Sequence, residues 1–150
     1  MEIKKAKIDD LPVILDLQKL CYNDNAVRYN DFKIPPLTQS IIDLEKEYND
    51  CTILKATEQT KIVGSIRAFE KDGTCFIGRV IVHPDFQNKG IGKQLMTDME
   101  LIFKNVNRFE LFTGFRDDKN LYFYKKLGYN QFKQVKINDD LAMIYLEKSN

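Results

Sequence analysis

The stretch "HPDFQNKGIGKQLM", His83–Met96, places two glycines one residue apart between Lys89 and Lys93, directly behind the β-branched run "VIV" at 80–82. Pro84 breaks that strand, and the pattern predicts a helix beginning near Gly90. Backbone N–H groups in a helix's first turn have no acceptors inside the helix, and they lie at the positive end of its dipole. Glycine there lets the chain turn tightly and approach a ligand without a Cβ in the way. The stretch therefore reads as a cradle for a diphosphate, with Lys89 and Lys93 beside it. A P-loop is excluded, since it needs glycine where Gln87 stands and Ser or Thr where Gln94 stands. The dinucleotide fingerprint needs a third glycine where Leu95 stands. A lone GxG is as often a shaped loop as an anion site, so its surroundings decide.

Working outward, Ile91, Leu95, Met99, Ile102 and Val106 form the apolar stripe of a long helix after the glycines. Before them, "CTILKAT", "KIVGSIRAF" and "TCFIGRVIV" are strands joined by the hairpin turns "EQT" and "EKDG". "EIKKAKI" opens the chain as a strand, and Asp9 or Asp10 caps a helix with Pro12 in its first turn and Leu11, Ile14, Leu17 and Leu20 on its stripe. "YNDNAVRYNDFKIPP", residues 22–36, reads as a loop of functional length. A second helix carries Leu37, Ile41, Leu44 and Tyr48. Downstream, "RFELFTG" is a strand, "DDKNLYFYKKLG" a helix ended by Gly128, and "YNQFKQVKI" and "LAMIYLE" a hairpin around "NDD". The sum is an α/β (α+β) fold, a mixed sheet with helices on both faces.

With 150 residues, 43% apolar and 30% charged, one domain spanning 1–150 with its own core is expected. A formal net charge of +1 gives no global field for nucleic acid or an anionic membrane, so any anion site is local. Cys21, Cys51 and Cys75 form no CxxC and have a single histidine to join them, so no metal site is expected. Scattered thiols fit a reducing cytoplasm. No signal peptide or membrane-spanning run is present, and a cytoplasmic location is the expectation.

"VIVHPDFQNKGIGKQLM" resembles the acetyl-coenzyme A signature of the GNAT superfamily of N-acetyltransferases, Q/R-x-x-G-x-G/A after a V-x-V-x-P strand, matched here by Gln87, Gly90 and Gly92. "NLYFYKKLGY" resembles the family's next motif, a helix with a tyrosine four residues before a Gly-aromatic pair, here Tyr124 and Gly128-Tyr129. The resemblance implies a mostly antiparallel sheet of six to seven strands, splayed between strands four and five. It implies a pantetheine arm along Val80, Ile81 and Val82, paired with the main chain of Val80 and Val82 as an added strand would be. It further implies that main-chain groups of Gln87, Asn88, Gly90, Ile91, Gly92 and Lys93 hold the diphosphate, with Lys89 alongside.

The activity implied is transfer of acetyl from acetyl-coenzyme A to a primary amine of a small molecule or peptide by direct attack. The alternative is a coenzyme A-binding sensor or docking module without chemistry. A weaker third possibility is a free-nucleotide site. Tyr124 is the implied catalytic residue, giving a proton or a hydrogen bond to the leaving sulfur. A phenol of pKa ~10 protonating a thiolate whose acid has pKa ~8.5 is uphill by about 2 kcal/mol, so hydrogen bonding without full transfer suffices. Asn120, one turn earlier on the same face, is placed to bond the pantetheine carbonyl, although the commoner family pattern has asparagine at the position of Asp117. Asp117 reads as a helix cap.

No acid stands on "CFIGRVIV", where many relatives carry a glutamate. Glu70, on the neighbouring strand, is a candidate base through water; otherwise the amine arrives partly neutral. His83 reads as a turn or rim residue. The acceptor is expected to enter beside residues 22–36, and the C-terminal hairpin offers an edge for a homodimer.

Overall fold

A computed structural model describes residues 1–150. Seven strands form one sheet in the order β1-β2-β3-β4-β5-β7-β6. They are β1 (Glu2–Lys5), β2 (Thr52–Glu58), β3 (Lys61–Lys71), β4 (Thr74–Val82), β5 (Arg108–Gly114), β6 (Asn130–Lys136) and β7 (Ala142–Ser149). Five helices accompany them: α1 (Leu11–Tyr29), α2 (Pro35–Thr38), α3 (Ile41–Asp50), α4 (Ile91–Ile102) and α5 (Asp118–Lys126).

All neighbouring strands are antiparallel except β4 and β5. That parallel pair shares only Thr74–Arg108, Cys75–Phe109 and Phe76–Glu110. Beyond Phe76 the two strands diverge, so β4 from Ile77 to Val82 has an edge with no strand beside it. The splayed, mixed sheet expected from sequence is the observed architecture.

Period-two alternation divides the side chains between two layers. Leu54, Ala56, Ile66 and Ala68 face α4 and join Ile91, Leu95, Met96 and Met99 in the main core. Ile53 faces the other way and packs with Leu11, Ile14, Leu15 and Leu44 of α1 and α3. Gly64 makes the close approach of α4 possible: a Cβ there would lie 3.1 Å from the Ile81 carbonyl and 3.2 Å from Leu95 Cδ1.

Several expectations need correction. Residues 22–29 are the second half of α1, not a loop. The buried positions Ile14, Gln18, Ala26 and Tyr29 continue the helical spacing, but the stripe turns polar midway because Gln18 bonds other buried groups. Leu20, expected on the stripe, is exposed. The helix ends at Asn30, whose φ of 51° is the left-handed conformation that asparagine tolerates. Leu37 belongs to the separate turn α2, because Ser40 starts a new helix by accepting from Asp43 N at 3.2 Å. The α4 stripe stops short: Ile102 is exposed and Val106 lies beyond the helix. β1 ends at Lys5, and Ile8 begins a 3-10 turn whose Asp10 carboxylate accepts from Lys7 N at 2.7 Å.

Candidate active site

The loop between β4 and α4 is built to leave its amides free. Neither a backbone nor a side-chain acceptor meets any N–H from Gln87 to Lys93; the first to find one is Gln94, bonded to Gly90 O at 3.0 Å. Asn88 and Gly90 both take positive φ, 62° and 83°. Gly90 is the N-cap of α4, and its site has open space for a Cβ, so conformation rather than room demands glycine there. Gly92 is different: a Cβ would rest at ordinary contact distance, 3.4 Å, from Phe123. Gln87 braces the loop, donating to Val82 O and accepting from Lys119 Nζ, each at 3.2 Å.

These amides open on a cleft of about 810 Å³ between the diverging strands, bounded by α1, α4 and α5. Val80, Ile81, Val82, Gln87, Asn88, Gly90, Ile91, Gly92, Lys93, Asn120 and Tyr124 all line it. Lys89 does not; its ammonium lies 5.1 Å from the centre of the Phe86 ring. The Val82 carbonyl points away from β3 and accepts from Cys21 Sγ at 3.4 Å as well as from Gln87. Cys21 is held as a thiol, pushed up to about 11 by burial. Asn120 donates to Thr113 Oγ1 at 3.4 Å.

Tyr124 is 7% exposed and its hydroxyl has no hydrogen-bonding partner in the protein. Burial, then the nearby Tyr22 phenol and Asp117 carboxylate, push its pKa above the ordinary 10.0. The group is therefore a proton-bearing donor at neutral pH and not a base.

Asp117 does not cap α5 with its side chain. Its carboxylate accepts from Gly114 N at 3.1 Å and Asn25 Nδ2 at 3.2 Å, and it pairs with Arg28. Tyr29 completes this junction by accepting from Arg116 N at 2.9 Å. Glu70 is exposed at the far, hairpin end of β3, opposite Cys75, and is not part of the cleft, so it cannot serve there as a base. His83 is a turn residue, its Nδ1 accepting from Asp85 N at 3.1 Å. Tyr22 and Asn25 lie in the segment expected to flank the acceptor but were read as loop, and Cys21 was read only as a scattered thiol; the signal that places all three on the cleft is the continued three-to-four spacing of α1.

No cluster of three or more His, Cys, Asp or Glu side chains is arranged to hold a metal ion, and no helix is long and apolar enough to cross a membrane.

The acetyltransferase (GNAT) domain family matches residues 49–131. An uncharacterized N-acetyltransferase, ycf52, of Gracilaria tenuistipitata var. liui is 30% identical over 118 residues, covering 76% of this chain and 60% of the relative. Its Porphyra purpurea namesake is 35% identical over 80 residues, 51% of this chain and 44% of that protein. The chain thus spans less than two thirds of the length of these relatives. Among solved structures, the PaiA N-acetyltransferase of Thermoplasma acidophilum in complex with coenzyme A superposes with a TM-score of 0.79 at 20% identity, over 99% of this chain and 98% of that one. The ribosomal-protein-alanine N-acetyltransferase of Brucella melitensis gives 0.78 at 20% identity over the full length of both chains.

Proposed function

The chain belongs to the GNAT acetyltransferase family, and from that premise we propose that it transfers an acetyl group from acetyl-coenzyme A to a primary amine of a small molecule or peptide by direct attack. The observation that carries this reading is the run of unpaired amides from Gln87 to Lys93, opening on the cleft that Tyr124 also lines. When bound, the coenzyme supplies an acyl group activated as a thioester.

The chain's own residues do the rest. The free N–H groups, at the start of a helix whose dipole favours anions, receive the linked phosphates. Lys93 adds a cation at the same place. The edge of β4 at Val80–Val82, which no strand covers, offers main-chain groups to the amides of the pantetheine arm, apart from the Val82 carbonyl already bonded by Cys21 and Gln87. Asn120 supplies a further donor on the α5 side. Tyr124, kept protonated by its surroundings, holds its proton toward the sulfur and stabilises negative charge there. Asp24, Asp117 and Asp118 are the acids on the cleft. Asp117 is committed to Arg28, Asn25 and Gly114, and the reading assigns no carboxylate base, taking the amine as arriving neutral.

The test is release of free thiol from acetyl-coenzyme A across a panel of amines, with calorimetric binding of coenzyme A alongside. Tyr124→Phe is expected to lower turnover while leaving coenzyme affinity within about threefold. Tight coenzyme binding with no acceptor in the panel would support the rival reading, a coenzyme A sensor without chemistry. Failure to bind coenzyme A would sink both.

A further inference from the structure

A second pocket, about 420 Å³, lies across the sheet from α4, where β3 and β4 meet the open start of the splay. Its walls are aromatic: Phe69 stacks on Phe76 at 5.2 Å, and Phe112 packs on Tyr145 at 5.3 Å. Four charged side chains line it, Glu47, Arg67, Arg79 and Glu110. Both carboxylates already own a guanidinium. Glu47 pairs with Arg67, and Glu110 with Arg108 at 3.0 Å. Arg79 is left over. It forms no ion pair and, beyond a loose approach to the Tyr22 phenol, no hydrogen bond.

Two sealed side-chain polar atoms in the chain lack a partner, Arg67 Nε and Arg79 Nε, and both belong to this pocket. Arg67 is only 5% exposed; its other nitrogens are spent on Gln18, Gln39 and Glu47. Arg79 reaches the pocket because β4 bulges there: the register with β3 shifts between Ser65 and Arg67, and Arg79 takes a φ of 50°. A non-glycine residue in that conformation is uncommon, and a buried donor without a partner is rarer still. The guanidinium lies 5.8 Å from the centre of the Tyr22 ring, and Tyr22 also lines the first cleft and lies near Tyr124. Tyr22 thus stands between the first cleft, which it lines, and Arg79 of the second pocket.

We propose that this pocket receives the acceptor, and that the acceptor is a free amino acid whose carboxylate is gripped by Arg79 while its apolar body lies against the Phe112–Tyr145 wall. The uncompensated cation asks for one anion, and a guanidinium fork matches a carboxylate in shape. The volume suits a molecule of amino-acid size. This inference rests on the acetyl-transfer reading for its chemistry but not for its binding test.

The test compares L-phenylalanine, L-leucine, β-alanine and 4-aminobutyrate, each beside its own carboxamide. Thiol release gives kcat/KM, and calorimetry on the coenzyme A-loaded protein gives affinity without turnover. At least one acid is expected to exceed its amide more than tenfold in affinity. In Arg79→Gln the acid-to-amide ratio falls to within threefold of one, chiefly through KM; Arg79→Lys, which keeps the charge but not the fork, falls between. Matching thermal melts of the variants exclude a folding defect. Equal handling of acids and amides by the parent protein overturns the proposal, as does an acid preference that survives Arg79→Gln or binding of none of the four acids. Transfer to other amines with no such preference overturns this inference alone and leaves the acetyl-transfer reading standing.

Discussion

Arg28 and Asp117, 89 positions apart, form an ion pair on the wall of the cleft, with Asp117 buried and Arg28 half in solvent. The pair fastens the last turns of α1 to the start of α5, the helix that carries Tyr124. Asp117 also accepts from Gly114 N and Asn25, so one carboxylate holds three elements together.

Removing that carboxylate leaves buried donors without partners. Asp117→Ala is expected to cost about 2–4 kcal/mol in urea unfolding at neutral pH, and Arg28→Ala less than about 1.5 kcal/mol, because Arg28 is already partly hydrated. Equal costs for the two would mean that the ion pair, and not the buried bonds of Asp117, secures the junction.

Gly90 and Gly92, where the β4–α4 loop enters its helix, should respond to alanine with opposite signs. Gly90→Ala forces a side chain into a φ of 83° and is expected to lose about 1–2 kcal/mol of stability. Gly92→Ala meets only the ordinary contact with Phe123 inside a helix and is expected to gain about 0.5–1 kcal/mol. Denaturant midpoints decide this; a shared sign would mean that the loop relaxes around Gly90.

In the proposed reaction Tyr124 acts while protonated, and burial holds its pKa above the ordinary 10.0. The rate against pH should therefore show no descending limb up to about pH 9, the range in which the fold keeps its full stability. Tyr124→Phe is expected to lower kcat roughly 100-fold without changing the profile's shape. A parent profile that falls below that pH would assign the proton donor elsewhere.

Alkali should unfold the chain early. Burial pushes Cys21 up to about 11, Cys75 up to about 12 and Tyr29 up to about 12, and raises Tyr124 and Tyr129 as well. In the unfolded chain thiols and phenols lose protons nearer their ordinary 9.0 and 10.0. Between these values the native state binds more protons than the unfolded one. Stability present below pH 9 is then lost as pH rises through 9 to 12, each group adding up to about 1.4 kcal/mol per pH unit to the slope. Melts under reductant across pH 8 to 11 test this; a flat profile to pH 11 would contradict it.

The succession of strands and helices and the helix after the glycines were legible in the sequence because each rests on local periodicity, whereas the split between β4 and β5 was legible only through the family that the two motifs resemble. The second half of α1 was not. Gln18, Tyr22 and Asn25 sit where aliphatic residues would have announced a helix, and their burial depends on partners 18 to 92 residues away. Asp117 was read in part for a related reason: it does stand at the N-cap of α5, as an aspartate before a helix signals, but only tertiary contact with α1 reveals where its side chain is spent. Arg79 was invisible as a site. Its importance comes from a bulge and from neighbours already neutralised, neither of which one-dimensional spacing can encode.

With only three rungs joining β4 to β5, the sheet is two leaves hinged along one margin, β1–β4 and β5–β7–β6. A guest molecule wedged into the open margin becomes a keystone, and by mass action it makes the native state harder to leave. Deuterium uptake at β4 and β5 should slow in proportion when it enters. Inside a cell, resistance of this chain to proteases would then rise and fall with the supply of that guest.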